Sequence, residues 1–473
     1  MIKNGWEMVI GIEIHLELNT KTKMFSPALN SFGDKENTNV SFIDLAYPGT
    51  LPLVNKNAII KAIKLAKALK MEINKIVRFD RKNYFYPDLT KGYQITQQFN
   101  PIGTDGTIKI KVDNNWKEIA IERIHMEEDT AKSIHDNKLT YLNYNRSGVP
   151  LIEIVSRPVI TSGKEACAYV DAIRQTALAL NISDAKLNEG SLRTDVNISV
   201  KKIGEKELRT RCEIKNLNSL ANIAKAIDYE ANLQIEKYEK NEPVIQCTKR
   251  FDEDKLQTSV MRLKSDAIDY KYFPDPNLPY IELTDELIKS VEIEELPFER
   301  EQRYVKNNLN NVQISQLLNN LEYATYLDKI PYKDFKKSAN LFFSDLVAYL
   351  NENKLSIQDL KIKEDEFAIL ISYVQDSKIN KQNVQKIIDL KQKNSEKSID
   401  KLIKENNLFV EVKVFSSKEI VDSIFKENAT IEQEADKNFD KTLKFILGQA
   451  MKKTMGKANV KEIETLAKER LKK

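Results

Sequence analysis

Residues 9–18, Val-Ile-Gly-Ile-Glu-Ile-His-Leu-Glu-Leu, alternate apolar and polar positions with the period of two that predicts a β-strand. One face carries Ile10, Ile12, Ile14, Leu16 and Leu18, and the other Glu13, His15 and Glu17. Residues two apart on a strand lie roughly 6 to 7 Å from each other on one face, so two carboxylates flank an imidazole. Two readings stand at this point. One is a mixed-charge ladder facing solvent. The other is half of a metal site, because crowded carboxylates cost energy unless a cation or a water-filled cleft absorbs their charge.

The same alternation recurs downstream. Ile108, Ile110 and Val112, the turn formers Asp113-Asn114-Asn115, and Ile119 and Ile121 predict a hairpin that ends in an acidic cluster, His125-Met-Glu-Glu-Asp129. Val196, Ile198 and Val200 predict a strand whose opposite face carries Asp195, Asn197 and Ser199. Amphipathic stretches at 59–69 and 166–180 read as helices packed on these strands. The expected fold is α+β: a largely antiparallel sheet domain over 1–293, a helical domain over 294–397 and a helical tail over 398–473.

Glycine recurs from Gly5 to Gly204 and is then absent until Gly448, and no proline follows Pro331. A region without either breaker runs as helices, expected near 301–308, 312–328, 334–352, 364–375 and 381–391, with polar residues 391–397 as a linker. In the tail, Leu443, Ile446, Leu447, Ala450 and Met451 share one helical face while Lys441, Lys444 and Lys452 lie on another. That lysine face reads either as a solvated surface or as a contact for a phosphate backbone.

Composition adds limits rather than an answer. A net charge of +4 permits a nucleic-acid partner without requiring one. Cys167, Cys212 and Cys247 form no C-x-x-C pair and read as reduced thiols of a cytoplasmic protein. The N-terminus lacks an apolar signal core, and no segment approaches the ~20 apolar residues of a membrane helix, so no membrane partner is expected. The chain contains no P-loop, no Rossmann glycine pattern and no G-x-S-x-G elbow. Of the three histidines, His15 and His125 adjoin acidic clusters without zinc spacing, and oxygen-rich ligation with one imidazole favours magnesium or manganese.

The densest loop chemistry is Phe79 to Asp88 with Lys91-Gly-Tyr-Gln94. Arg81, Lys82 and Lys91 suit phosphates, and Tyr84, Phe85, Tyr86 and Tyr93 offer stacking surfaces; a loop pinned structurally by its tyrosines is the competing account. Asn145 to Glu153, Glu189 to Asp195 and Glu213 to Ser219 mix acid, base and small polar residues in the same way, as loops converging on one cleft would.

These segments, with Asp44 to Pro52 and Asp269 to Pro274, resemble the GatB family, the B chains of the tRNA-dependent amidotransferases, and the resemblance runs along the whole sequence. It implies a protein that uses ATP and Mg2+ to phosphorylate the side-chain carboxylate of misacylated Glu-tRNA(Gln), Asp-tRNA(Asn) or both. Ammonia from the glutaminase, the A component of the complex, then displaces phosphate. The A and C components of a heterotrimer and the tRNA are the implied partners, with no DNA. Matching motif positions implies Glu13, His15, Glu128 and Glu213 as metal ligands, with Glu127, Glu153 and Asp195 behind them. Lys82, Arg146 and Lys215 are implied as phosphoryl clamps, and Tyr84, Tyr86, Lys91, Tyr93 and Arg193 as nucleotide or tRNA-end contacts.

Some family members carry zinc-binding cysteines between the first strand and the Tyr-Pro-Gly motif; 24–45 contains no Cys, so no zinc is expected. The chain departs from the family at Thr90, Asn143, Arg157 and Val460, and Asn143 puts one charge interaction in doubt. Two alternatives remain open: a non-catalytic protein that positions tRNA for another enzyme, and a stand-alone carboxylate–amine ligase that needs no tRNA.

Overall fold

The computed structural model describes residues 3–136, 138–215, 217–263, 269–410, 416–428, 430–454 and 459–471. The chain forms two compact units, Met1–Lys329 with Asp334–Ala339, and Ile330–Lys333 with Asn340–Lys473. This is a coarser division than the three domains expected from composition.

The first unit is built on a nine-stranded sheet. Its spatial order is Gln257–Leu263, Cys247–Asp252, Cys212–Lys215, Leu192–Lys202, Trp6–Glu17, Pro150–Ser156, Asn115–Glu128, Gly103–Val112 and Glu72–Ile73. The N-terminal strand is thus the middle one. Every neighbouring pair is antiparallel except Cys212–Lys215 with Cys247–Asp252. The hairpin forms as expected: Val112 pairs with Asn115, and Asp113 and Asn114 both take positive φ, at 47° and 66°. Two left-handed residues make the primed turn whose twist matches that of the flanking strands.

The alternation of the N-terminal strand holds over Trp6–Glu17, every second residue from Trp6 to Leu16 being buried. Ile10, Ile12, Ile14 and Leu16 share one core with Ile63 and Ala66 of the helix Lys56–Ala68 and with Tyr169 and Ile173 of Gly163–Ala179. Ile223 and Ile227, from the helix Leu220–Glu239, join the same core. Apolar packing takes one face of the sheet, and the face with Glu13, His15 and Glu17 is left for chemistry. Cys212 and Cys247, distant in sequence, lie on the parallel strands with their sulfurs 3.7 Å apart.

The helix expected at 364–375 forms as Glu364–Gln375, and others form with altered bounds. The segment expected at 301–308 begins at Pro297, because proline is at home at the first helical position. The segment 312–328 divides at Asn320 into Asn311–Asn319 and Leu321–Lys329, Asn320 leaving the helical region at ψ 96°. The segment 334–352 contains a π-helical turn, Phe342–Val347.

The linker expected at 391–397 is not one. Helix Val384–Lys393 runs into it, and buried Lys391 donates to the carbonyls of Ser395 at 2.7 Å and Lys397 at 2.9 Å, closing a packed turn before Ser398 caps the next helix. In the tail, Leu443, Ile446 and Ala450 of helix Phe439–Lys453 are buried with Ile420, Ile424 and Ile463, while Lys441, Lys444 and Lys452 are exposed. Asn216, within the segment Glu213 to Ser219, and residues 455–458 lie outside the described residues.

Candidate functional site

Register decides what the polar face of the sheet contains. His15 lies opposite Arg193 on one side and Glu153 on the other, and Glu153 lies opposite His125. Two residues along the strand, Glu13 lies between Asp195 and Val155; two residues the other way, Leu151 lies between Glu17 and Glu127. Strands from four separate parts of the sequence therefore carry their acids and histidines onto one surface.

Two constellations result. In the first, one ligand atom each of His15, Glu127 and Glu153 lies within 4.8 Å of the others, with His15 Nε2 3.6 Å from Glu153 and 3.8 Å from Glu127. In the second, Glu13, Asp195 and Glu213 meet the same limit. Asn197 Nδ2 donates to Glu13 at 2.9 Å, and Thr248 Oγ1 donates to Glu213 at 2.9 Å, so two of these carboxylates are oriented by neutral donors. Lys215 bridges the trio, in contact with Asp195 and 3.0 Å from Glu213.

The electrostatics follow from this crowding. Burial first, then the charges of Glu153, Asp195 and Glu213, push Glu13 above the ordinary carboxylate value, and Lys215 only partly offsets them. Glu153 goes the other way: burial would raise it, but His125, His15 and Lys82 together hold it well below the usual range. Burial would lower Lys82, but Glu127, Tyr272, Glu153 and Tyr270 outweigh it and hold the ammonium charged. Glu17 is pushed up to about 7 by burial and by Asp129, despite Arg193 and Arg146.

A divalent cation fits these donor sets on chemical grounds. One imidazole with two carboxylates, and three carboxylates together, are oxygen-rich sites of the kind hard cations take. Burial is the larger cause of the upward shift of Glu13, and the repulsion from Glu153, Asp195 and Glu213 that adds to it is what such a cation would relieve.

The other expected residues divide into those the fold brings to this face and those it engages elsewhere. Lys82 is brought in: its ammonium is 4.9 Å from the Tyr270 ring centroid and 6.0 Å from that of Tyr84, with no hydrogen-bonded partner among the described residues. Lys215 lies inside the second trio. Glu128 stands apart from both trios; it contacts Lys91 and accepts from the Ile95 amide at 3.1 Å. Arg193 donates to Asp129 at 2.6 Å, and Arg146 spans the carbonyls of Thr130 and Ala131 at 3.0 and 3.1 Å, 3.5 Å from Asp129. Both arginines thus brace the end of the hairpin strand. Tyr93 lies under Arg81, whose guanidinium is 4.0 Å from its ring centroid, and Tyr86 is exposed. Asn143 needs no charge, since its Oδ1 accepts from the amides of Asn37 and Asn145.

Sequence reasoning missed the roles of Tyr270, Asn197 and Thr248, and left His125 without a role. His125 and Glu127 could have been placed together by the same two-residue period that grouped Glu13 with His15. Thr248 carried no signal, because only strand pairing brings it to Glu213.

Comparison with known proteins fits this geometry. Residues 8–289 match the family model described as the GatB/GatE catalytic domain, and residues 325–471 match the GatB domain. The chain belongs to the GatB family. It is 50% identical over 459 residues to the GatB-type chain of the aspartyl/glutamyl-tRNA(Asn/Gln) amidotransferase of Mycoplasmopsis agalactiae, covering 96% of both chains. The corresponding amidotransferase chain of Mycoplasmopsis pulmonis is 47% identical, with 98% of both chains covered, and that of Malacoplasma penetrans 43%, with 100% of this chain and 98% of the relative covered. The match to these amidotransferase chains runs over nearly the full length of each. Both metal-type constellations fall inside the part that matches the catalytic domain. No helix among the described residues is long and apolar enough to cross a membrane.

Proposed function

We propose that this chain is the kinase half of the amidotransferase. It transfers the γ-phosphoryl group of ATP to the side-chain carboxylate of a glutamate or aspartate esterified to tRNA(Gln) or tRNA(Asn). The carboxylate oxygen bonds to phosphorus as the bond to ADP breaks, giving an acyl phosphate. Ammonia released from glutamine by the glutaminase component then bonds to the acyl carbon, phosphate leaves and a proton is lost, giving the amide. Activation is needed because oxide is a poor leaving group and phosphate a good one. The A and C components complete a heterotrimer, and the reading makes it a cytoplasmic one.

The observation that carries this reading is the pair of adjacent acid clusters on one sheet face, His15–Glu127–Glu153 and Glu13–Asp195–Glu213, with Lys82 and Lys215 beside them. Mg2+ held there would neutralise charge on the transferring phosphoryl group. Glu13, His15, Glu127, Glu153, Asp195 and Glu213 would hold it. Lys82, kept charged by Glu127 and Glu153 and without a hydrogen-bonded partner among the described residues, is available to meet a phosphate oxygen. Lys215 already lies between two carboxylates and would contribute as a shared counter-ion.

The test is reconstitution with the A and C components and a transamidation assay on each misacylated tRNA. Glu13→Ala and His15→Ala are expected to abolish ATP-dependent amide formation while glutamine hydrolysis by the glutaminase persists. Full transamidation by either variant would overturn the proposal and favour a protein that only positions tRNA.

A further inference from the structure

His125 is buried, with 5% of its surface exposed, yet it belongs to neither trio. Register places it directly opposite Glu153, on the side away from His15, so Glu153 stands between two histidines in one row across three strands. His125 Nε2 lies 3.1 Å from Glu153 Oε2 and 3.8 Å from Glu127 Oε2. Its other nitrogen, Nδ1, is buried without a hydrogen-bond partner among the described residues.

That asymmetry assigns a proton to Nε2, which a charged ring carries in any case and a neutral one must choose. A neutral imidazole carries one N–H. On Nδ1 it would be a buried donor with no acceptor, and the bare Nε2 lone pair would face the carboxylate. On Nε2 it donates to Glu153, and neither cost arises.

We propose that His125 is a positioning residue for the cation site: its Nε2–H holds Glu153 Oε2, the oxygen that also faces His15 at 3.6 Å, and so fixes the carboxylate beside His15 and Glu127. The proposal rests on reading His15–Glu127–Glu153 as a divalent-cation site. A glutamate has three side-chain torsions, and Glu153 would otherwise be free to turn from its partners. Donors that orient a ligating carboxylate typically change metal affinity by about 10- to 100-fold when removed.

The probe is Mn2+, titrated into the full-length chain and followed by the electron paramagnetic resonance of the free ion. His15→Ala defines the site by deleting it from the isotherm. His125→Met removes the donor from a side chain of similar length to His125→Gln, which keeps an N–H. The Met variant is expected to weaken the His15-dependent site by about 10- to 100-fold, and the Gln variant to retain most of its affinity. Unchanged Mn2+ affinity in the Met variant, with native melting behaviour, would overturn the proposal. Complete loss of the site in both variants would overturn it too, by making His125 a ligand. If His15→Ala leaves all Mn2+ binding intact, the cation reading itself fails, which is a different result.

A second readout needs no substitution. With three histidines in the chain, nitrogen-15 imidazole shifts resolve the tautomers. A ring at position 125 that carries a proton on Nε2, whether neutral or doubly protonated, supports the proposal, and a neutral ring protonated on Nδ1 alone excludes it.

Discussion

Glu230 and Lys249 form an ion pair inside the first unit, where a charge is expensive. Their side chains are 0% and 8% exposed, and Lys249 Nζ lies 2.8 and 2.9 Å from the two carboxylate oxygens. Thr258 Oγ1 at 2.7 Å and Gln234 Nε2 at 3.1 Å also donate to the carboxylate. Glu230→Gln leaves the ammonium buried against a neutral amide. Removing one partner of such a pair costs about 3 to 5 kcal/mol. At ~2 °C per kcal/mol for a large domain, that is a melting point roughly 6 to 10 °C lower. Glu230→Leu with Lys249→Met removes both charges and should recover most of the loss. Lys75→Ala, at a pair whose side chains are 62% and 58% exposed, should leave the melting point unchanged.

The pH dependence has a defined sign. Burial alone would lower Lys249, but Glu230 raises it above the ordinary 10.5. A cation with a raised folded value stabilises fully below its unfolded value and loses that contribution as pH climbs through the folded one. Without Glu230, burial lowers Lys249 in the variant, so the gap between the native chain and Glu230→Gln should begin to narrow on the acid side of 10.5, once the variant's lysine sheds its proton, and go on narrowing above 10.5 as the native pair loses its charge. Calorimetric melts of the full chain measure all of this. A single-variant loss below ~1 kcal/mol, or a double variant as unstable as the single one, would refute the reasoning.

Two further outcomes follow from contacts elsewhere in the sheet. Thr248→Val deletes the hydroxyl that donates to Glu213 at 2.9 Å while keeping the side chain's shape. It should weaken Mn2+ binding at the Glu13–Asp195–Glu213 trio by about 5- to 10-fold, equivalent to roughly 1 to 1.4 kcal/mol, without altering the His15-dependent site. Gly106→Ala would place a Cβ 2.5 Å from Met71 Cγ and 2.7 Å from the Leu69 carbonyl oxygen. The methionine can shift, but that oxygen is held by the Thr107 amide at 2.8 Å, so a loss of about 1 to 3 kcal/mol is expected in denaturant titration.

What the sequence made legible was periodicity within a single strand. Alternation across Trp6–Glu17 assigned a buried and a polar face correctly, because side-chain direction depends only on position along the strand. The hairpin was legible because Asp113 and Asn114 tolerate the positive φ that the turn needs. The helix break at Asn320 was hidden by apolar spacing that reads through it, and the packed turn at 391–397 by a lysine that looks solvated until its acceptors are seen.

Ligand grouping was less legible, for a physical reason. Glu128 and Glu127 are adjacent in an acidic run, and composition cannot choose between them. The strand sends one to the face shared with His15 and the other toward Lys91 and the Ile95 amide. A one-residue slip of Asn115–Glu128 against Pro150–Ser156 would exchange them and move His125 off Glu153 as well. That register is pinned at both ends, by the bulge at Val155/Ser156 and by Asp129, which Arg193 and Arg146 grip from separate segments. Arg146, which motif matching assigned to phosphate, and Arg193, which it assigned to the nucleotide or tRNA end, both grip Asp129 in this structure and so help to fix which carboxylate of the hairpin strand faces the site.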